Sequence, residues 1–118
     1  IEAATKLNRP MAFAVADVGA EMIATARMDG ANPRILRHSI RKAYTAAVMA
    51  TDTGANGKKL KEQGRSISEM GDLQLTGMQG GLVVKRDGVI LGGIGVGGYD
   101  GGHLDEALAR IGLDVLLG

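Results

Sequence analysis

The chain contains two histidines, His38 and His103, and no cysteine. Two imidazoles are too few for a three-histidine zinc site within one chain, and the absence of thiols excludes a disulfide, a thiolate zinc site and a cysteine nucleophile. One imidazole is enough, however, to act as the axial ligand of a tetrapyrrole iron. The chemistry predicted for each histidine is therefore to serve as a single ligand of a metal or to transfer a proton.

Positive charge surrounds His38 in the sequence. Arg34 lies four residues before His38 and Lys42 four residues after it, and Arg37 and Arg41 belong to the same segment. One helix could therefore offer both an iron ligand and cations for the propionates of a tetrapyrrole. The alternative is that these charges form a solvated, basic first turn of the helix.

Glycine forms a second unusual pattern. Gly93, Gly95 and Gly98 match the G-x-G-x-x-G spacing of dinucleotide-binding loops, after a predicted strand and before a predicted helix. A dinucleotide fold also needs a further parallel strand with an acidic residue about 20 positions on, and the residues after Gly98 are mostly helical in pattern. The glycines are therefore interpreted as bare main chain that lets another backbone or a flat ligand come close.

Hydrophobic periodicity and turn signals predict the elements that position these residues. The signal at Asp87-Gly88, between two apolar runs, is the strongest indication of a hairpin. The predicted elements are a helix end at 1–8, strands at 11–18 and 22–28, a long helix at 34–52, a break at 53–57, a short polar helix at 58–64, strands at 82–85 and 89–96, and a last helix from about 103. This order predicts an α+β fold, with an antiparallel sheet covered by helices on one side and strand 11–18 covered on both faces.

Length and composition limit the class of protein. The chain of 118 residues suffices for one domain, and 45% apolar with 23% charged residues is typical of globular proteins. The formal charge of +1 gives no overall field that would draw the protein onto nucleic acid or an anionic membrane. No apolar stretch reaches the roughly 18 residues of a spanning helix. The cytoplasm is the favoured compartment, with secretion the alternative if a leader was removed.

Three segments together resemble one known family, the GlcG and HbpS family, whose haem-degrading domain is also found at the C-terminus of PduO-type proteins. The segments are VADVGAEMIATARMDGA at 15–31, HSIRKAYTAAVMATDT at 38–53 and GGLVVKRDGVILGGIGVGGYDGGHLDEALARIGL at 80–113. The resemblance implies a profilin-like or PAS-like antiparallel sheet with flanking helices, and an additional N-terminal helix inside which Ile1 would lie. It also implies that a relative can bind haem or a corrinoid and form oligomers.

The sequence is therefore interpreted as one domain at 1–118, with a truncated first helix, that forms a homo-oligomer and holds a planar tetrapyrrole between the long helix and the glycine-rich strand end. Haem is the first cofactor and a corrinoid the alternative. His38 is the predicted iron ligand, from local chemistry rather than from the family. The other predicted contacts are Arg34, Arg41 and Lys42 for the propionates, and Gly80, Gly81, Gly95 and Gly97 for the ring.

A domain that binds haem could also degrade it. Two other classes of function stay open. An enzyme of a catabolic pathway could act on a small organic acid or aromatic metabolite, with Arg27 or Arg41 holding a carboxylate and His38 or His103 moving a proton. An accessory subunit could stabilise a partner protein. The pocket separates the first two classes, since a tetrapyrrole needs a wide apolar slot and a small acid needs a compact polar one.

Overall fold

Two β-hairpins form a single sheet. The first hairpin consists of β1 (Ala12–Asp17) and β2 (Met22–Arg27), and the second consists of β3 (Gly81–Arg86) and β4 (Val89–Gly97). The strand order is β2-β1-β4-β3 and every neighbouring pair is antiparallel, so the hairpins join along β1 and β4. The predicted α+β class and both predicted hairpins are confirmed.

Helices complete the chain in the computed structural model, which describes residues 1–98 and 101–118. They are α1 (Glu2–Lys6), α2 (Pro33–Met49), α3 (Thr53–Glu62) and α4 (Gly102–Leu117), with a single 3-10 turn at Ile67–Met70. The long helix α2 begins where the sequence predicts, because the Asn32 side chain accepts a hydrogen bond from the Arg34 amide at 2.9 Å and Pro33 fits the first helical position. It ends before the predicted Asp52, since Ala50 adopts the left-handed conformation.

The predicted break at 53–57 is wrong, because α3 begins at Thr53. Thr53 is buried, and its hydroxyl accepts from the Gly81 amide at 2.9 Å and donates to the Met78 carbonyl at 2.7 Å. Gly57 lies against another part of the main chain, where a Cβ would come within 2.4 Å of the Gly77 carbonyl oxygen. Tertiary packing therefore outweighs the low helix propensity of the glycines here.

Helices cover both faces of the sheet, so the predicted one-sided cover is wrong. Ile94 and Val96 of β4 point toward α1 and α4 and belong to the main core with Leu108 and Leu113. The alternate residues of β4 are glycines that lie against α2. A strand between two helical layers must bury both of its faces, which explains the continuous burial from Gly92 to Gly97.

Strand β1 is buried on one face and only partly covered on the other, whereas the sequence predicts that both faces are covered. Ala12, Ala14 and Ala16 are buried, and Phe13 and Val15 on the opposite face pack against the main core but stay partly exposed. The reason is that α4 packs mainly over β3 and β4. An apolar surface of the sheet therefore remains accessible beside α4.

Candidate functional site

A cleft opens where α2 passes the end of β4 and the start of α4. Its volume is about 280 Å³. This is the place where the sequence predicts a ligand, between the long helix and the glycine-rich strand end. The wall includes Arg34, His38 and Lys42 from α2, Gly97 and Gly98 at the end of β4, and Asp105 from α4.

His38 is partly buried on the wall of the cleft. Its burial lowers the pKa of the imidazole below the ordinary value, and the nearby charges of Arg34, Lys42 and Arg41 lower the pKa further, against an opposing effect of Asp105. Neutral imidazole is the form that ligates a metal or accepts a proton. His38 is therefore held in the form that both predicted chemistries require near neutral pH.

We expect an NMR titration to give His38 a pKa below the ordinary value of about 6.5. Because the folded protein binds this proton less tightly than the unfolded chain does, the stability that neutral His38 contributes is present above that pH and is lost as pH falls toward the lowered pKa. Arg34→Gln should raise the pKa of His38 by removing a nearby charge, and Arg37→Gln should leave it unchanged. A pKa at or above the ordinary value would contradict the burial seen here.

Lys42 reaches inward and forms a buried ion pair at the floor of the cleft. The residue is 2% exposed, and its Nζ donates to Asp105 Oδ2 and to the Val96 carbonyl oxygen, both at 2.8 Å. These bonds connect α2, α4 and β4. The sequence predicts Lys42 as a contact for a propionate and does not reveal its pairing with Asp105. Its signal lies in the helical spacing, since Lys42 shares a face with the buried Ile35 and Ser39.

Three of the predicted ring-contacting glycines make room for the protein itself, which corrects their predicted role. A Cβ at Gly95 would lie 2.0 Å from the Ser39 carbonyl oxygen, and one at Gly81 would lie 2.6 Å from the Lys42 carbonyl oxygen. A Cβ at Gly80 would lie 2.8 Å from Lys42 Nζ. Helix α2 and the side chain of Lys42 occupy the space beside these glycines, where the sequence predicts a flat ligand. The fourth predicted glycine, Gly97, does line the cleft.

The remaining candidates lie apart from the cleft wall. Arg41 is exposed on α2, and His103 is exposed in the first turn of α4. Arg27 donates from its guanidinium to the Ala31 carbonyl oxygen at 2.7 Å. In the described part of the chain, no group of three or more His, Asp or Glu side chains could hold a metal ion. Tyr99 and Asp100, within the glycine-rich segment, lie outside the described residues.

A larger cavity of about 500 Å³ lies on the opposite face of the sheet, beside α4. It is lined mainly by apolar side chains, and no histidine is among its described lining residues. Its lining includes Ile1, Phe13, Val15, Ile111, Val115 and Leu116. Within residues 1–98 and 101–118, none of the helices has the length and hydropathy needed to cross a membrane.

Comparisons with known proteins agree with the predicted family. Over residues 1–114 the chain matches the family described as Haem degrading protein HbpS-like. Protein GlcG of Escherichia coli strain K12 is 37% identical over 95 residues, which are 80% of this chain and 69% of that protein.

Solved structures share the fold over almost the whole chain. A double mutant of HbpS from Streptomyces reticuli is 35% identical with a TM-score of 0.87, covering 98% of this chain and 77% of that chain. The PduOC:Heme complex is 24% identical with a TM-score of 0.85 and covers 96% of this chain and 83% of that chain, which shows a shared fold. The match over residues 1–114, together with the identity to GlcG and HbpS, shows that the chain belongs to the HbpS-like family.

Proposed function

We propose that this protein binds haem at the cleft between α2 and α4, where His38 would hold the iron. The observation that carries the proposal is a partly buried His38 on the wall of a cleft, with its pKa lowered so that the imidazole is neutral. The family description names haem degradation, and PduOC, which has the same fold, forms a complex with haem. A corrinoid, the alternative tetrapyrrole, has no such support.

The donor set of the cleft fits one edge of a haem group. A volume of about 280 Å³ equals roughly nine water molecules, which is enough for a side arm of the macrocycle and too little for the whole ring. The cleft alone would therefore not enclose the ring. Arg34 and Arg41 are both exposed on α2, on either side of His38 in the helix, and can pair with propionates. Bound haem would supply an iron centre whose reactivity its surroundings tune.

A haemin titration tests the iron ligand. We expect the wild-type protein to shift and sharpen the Soret band of haemin, and His38→Ala to weaken binding at least about tenfold because the iron loses its protein ligand. His103→Ala, which changes the other histidine of the chain, should bind as the wild type does. An unchanged Soret band in His38→Ala would reject His38 as the ligand.

A second candidate function is catalysis on a small organic acid. The small volume and the charged wall of the cleft favour a small acid as the ligand, because a pocket that holds a whole tetrapyrrole is expected to be wide and apolar. Arg34 is then the group that holds the carboxylate and His38 the group that moves a proton. Arg27 and His103, considered for these roles from sequence, lie away from the cleft wall. Tight binding of a small carboxylate with no response to haemin would favour this function.

We further propose that the protein forms a homo-oligomer through the apolar face beside α4. Val115 is 79% exposed and Ile23 is 66% exposed, and Ile111 and Leu116 are half exposed on the same side. Contiguous apolar surface of this kind marks an interaction site, and a second copy of the chain would cover it symmetrically.

Light scattering after size-exclusion chromatography tests this assembly. We expect wild-type protein to run as an oligomer, and Val115→Asp to shift it to the monomer because a charge would be buried in the apolar contact. Ala107→Asp places the same charge at an exposed position of α4 outside the cavity and should leave the mass unchanged. A monomeric wild-type protein would reject the proposal.

A further inference from the structure

Among the residues that the structure describes, the Lys42–Asp105 ion pair is the buried charged group of the cleft that the haem proposal leaves unused. Both side chains are almost fully buried, at 2% and 5% exposure. Replacing a buried ion pair by apolar side chains is often neutral or stabilising, so stability alone does not account for charges at this place. Their position at the floor of a ligand-sized cleft suggests a role in recognition.

Lys42 has hydrogen-bonding capacity beyond the two bonds that hold it. An ammonium group carries three N–H donors. The Val96 carbonyl and Asp105 Oδ2 accept two of them, and no third acceptor contacts Nζ among the described residues. Lys42 also belongs to the lining of the cleft, beside Gly97 and Gly98. One N–H of a fixed cation is therefore available to a ligand.

The charge balance of the cleft favours an anion. Among its described lining residues, Arg34 and Lys42 are positive and Asp105 is negative. One positive charge thus remains in a small space with restricted access to water, where a hydrogen bond between ionised groups is strengthened. A carboxylate matches this charge, and a short carboxylate-bearing arm matches the volume.

We propose that the floor of the cleft is a carboxylate-binding site, in which one carboxylate oxygen accepts the third N–H of Lys42 and Arg34 pairs with the other oxygen. The inference rests on the proposed function, because it places the ligand in the same cleft. The carboxylate belongs either to a haem propionate or to a small organic acid. Lys42 lies one helical turn from His38 on α2, so iron ligation and carboxylate binding can occur side by side, which leaves Arg41 for the second propionate.

Haemin and haemin dimethyl ester separate recognition of the carboxylate from binding of the ring. Each is titrated into the wild type and into the double variant Lys42→Met with Asp105→Asn, which removes both buried charges together and so avoids an unpaired one. We expect the double variant to bind haemin roughly tenfold to hundredfold more weakly and to bind the ester as the wild type does. Lys85→Met, a change at an exposed lysine of β3, is the control. Equal weakening for both ligands would show a structural role only and overturn the proposal.

Sodium propionate tests the site without haem. We expect propionate at millimolar concentration to shift the amide resonances of Gly97 and Gly98 in the wild type and not in the double variant, and neutral propionamide to shift them in neither. If haemin fails to bind while propionate passes this test, the haem function falls and the carboxylate site stands with a small acid as its ligand. If propionate has no effect and haemin binds no better than its ester, the carboxylate site is rejected.

Discussion

Gly95→Ala is expected to destabilise the protein by about 3 kcal/mol or more, a large part of the stability of a typical domain, which is about 5–15 kcal/mol. The added Cβ would lie 2.0 Å from the Ser39 carbonyl oxygen and 2.6 Å from the Ala43 amide nitrogen. Both atoms belong to the main chain of α2, so no side-chain rotation relieves the contact. The helix would have to move away from β4, which would also loosen the small side chains packed beneath it, Ala43 and Ala47.

Chemical denaturation followed by circular dichroism measures this loss. Gly112→Ala is the matched control, because a Cβ at Gly112 would lie at an ordinary 3.8 Å from Ile94 Cδ1. In the interior of a helix this substitution should be neutral or stabilising by up to about 1 kcal/mol. Equal stability of Gly95→Ala and wild type would show that the main chain of α2 does not pack against Gly95 of β4.

Lys42→Met should cost about 3–5 kcal/mol, because it leaves the Asp105 carboxylate buried without its cation. The side chain of Asp105 is 5% exposed, and Lys42 Nζ lies 2.8 Å from its Oδ2.

The double variant Lys42→Met with Asp105→Asn should recover most of this stability, since no buried charge then remains unpaired. Urea denaturation of the wild type, the single variant and the double variant at pH 7 measures the coupling. A single variant as stable as the wild type at pH 7 would mean that the pair is not buried in solution.

The fold was largely predictable because its signals are local. The Asp87-Gly88 turn between apolar runs and the Asn32-Pro33 start of α2 depend on the conformational preferences of a few consecutive residues. The errors concern long-range packing. Helix α3 starts at Thr53 because Thr53 bonds to β3 and Gly57 packs against Gly77, contacts that no local pattern contains.

The candidate site was predictable in position and only partly in chemistry. Arg34, His38 and Gly97 do meet at one cleft. The pairing of Lys42 with Asp105 joins residues 63 positions apart in the chain, so their separate helical patterns could not reveal it. The sequence indicates that the glycines of β4 permit close approach, but it leaves open whether a ligand or another part of the chain approaches them. In the structure, helix α2 packs against these glycines.

The order of the strands also bears on how the chain acquires its shape. Each hairpin closes over a few residues, whereas the central pairing of β1 with β4 brings Ala12 beside Gly97 and Asp17 beside Gly92. Closing the chain between β1 and β4 costs conformational entropy before stabilising contacts form, and such non-local pairing slows folding. The two hairpins can therefore form before they pair with each other, and we expect the pairing of β1 with β4 to be the slow step of folding.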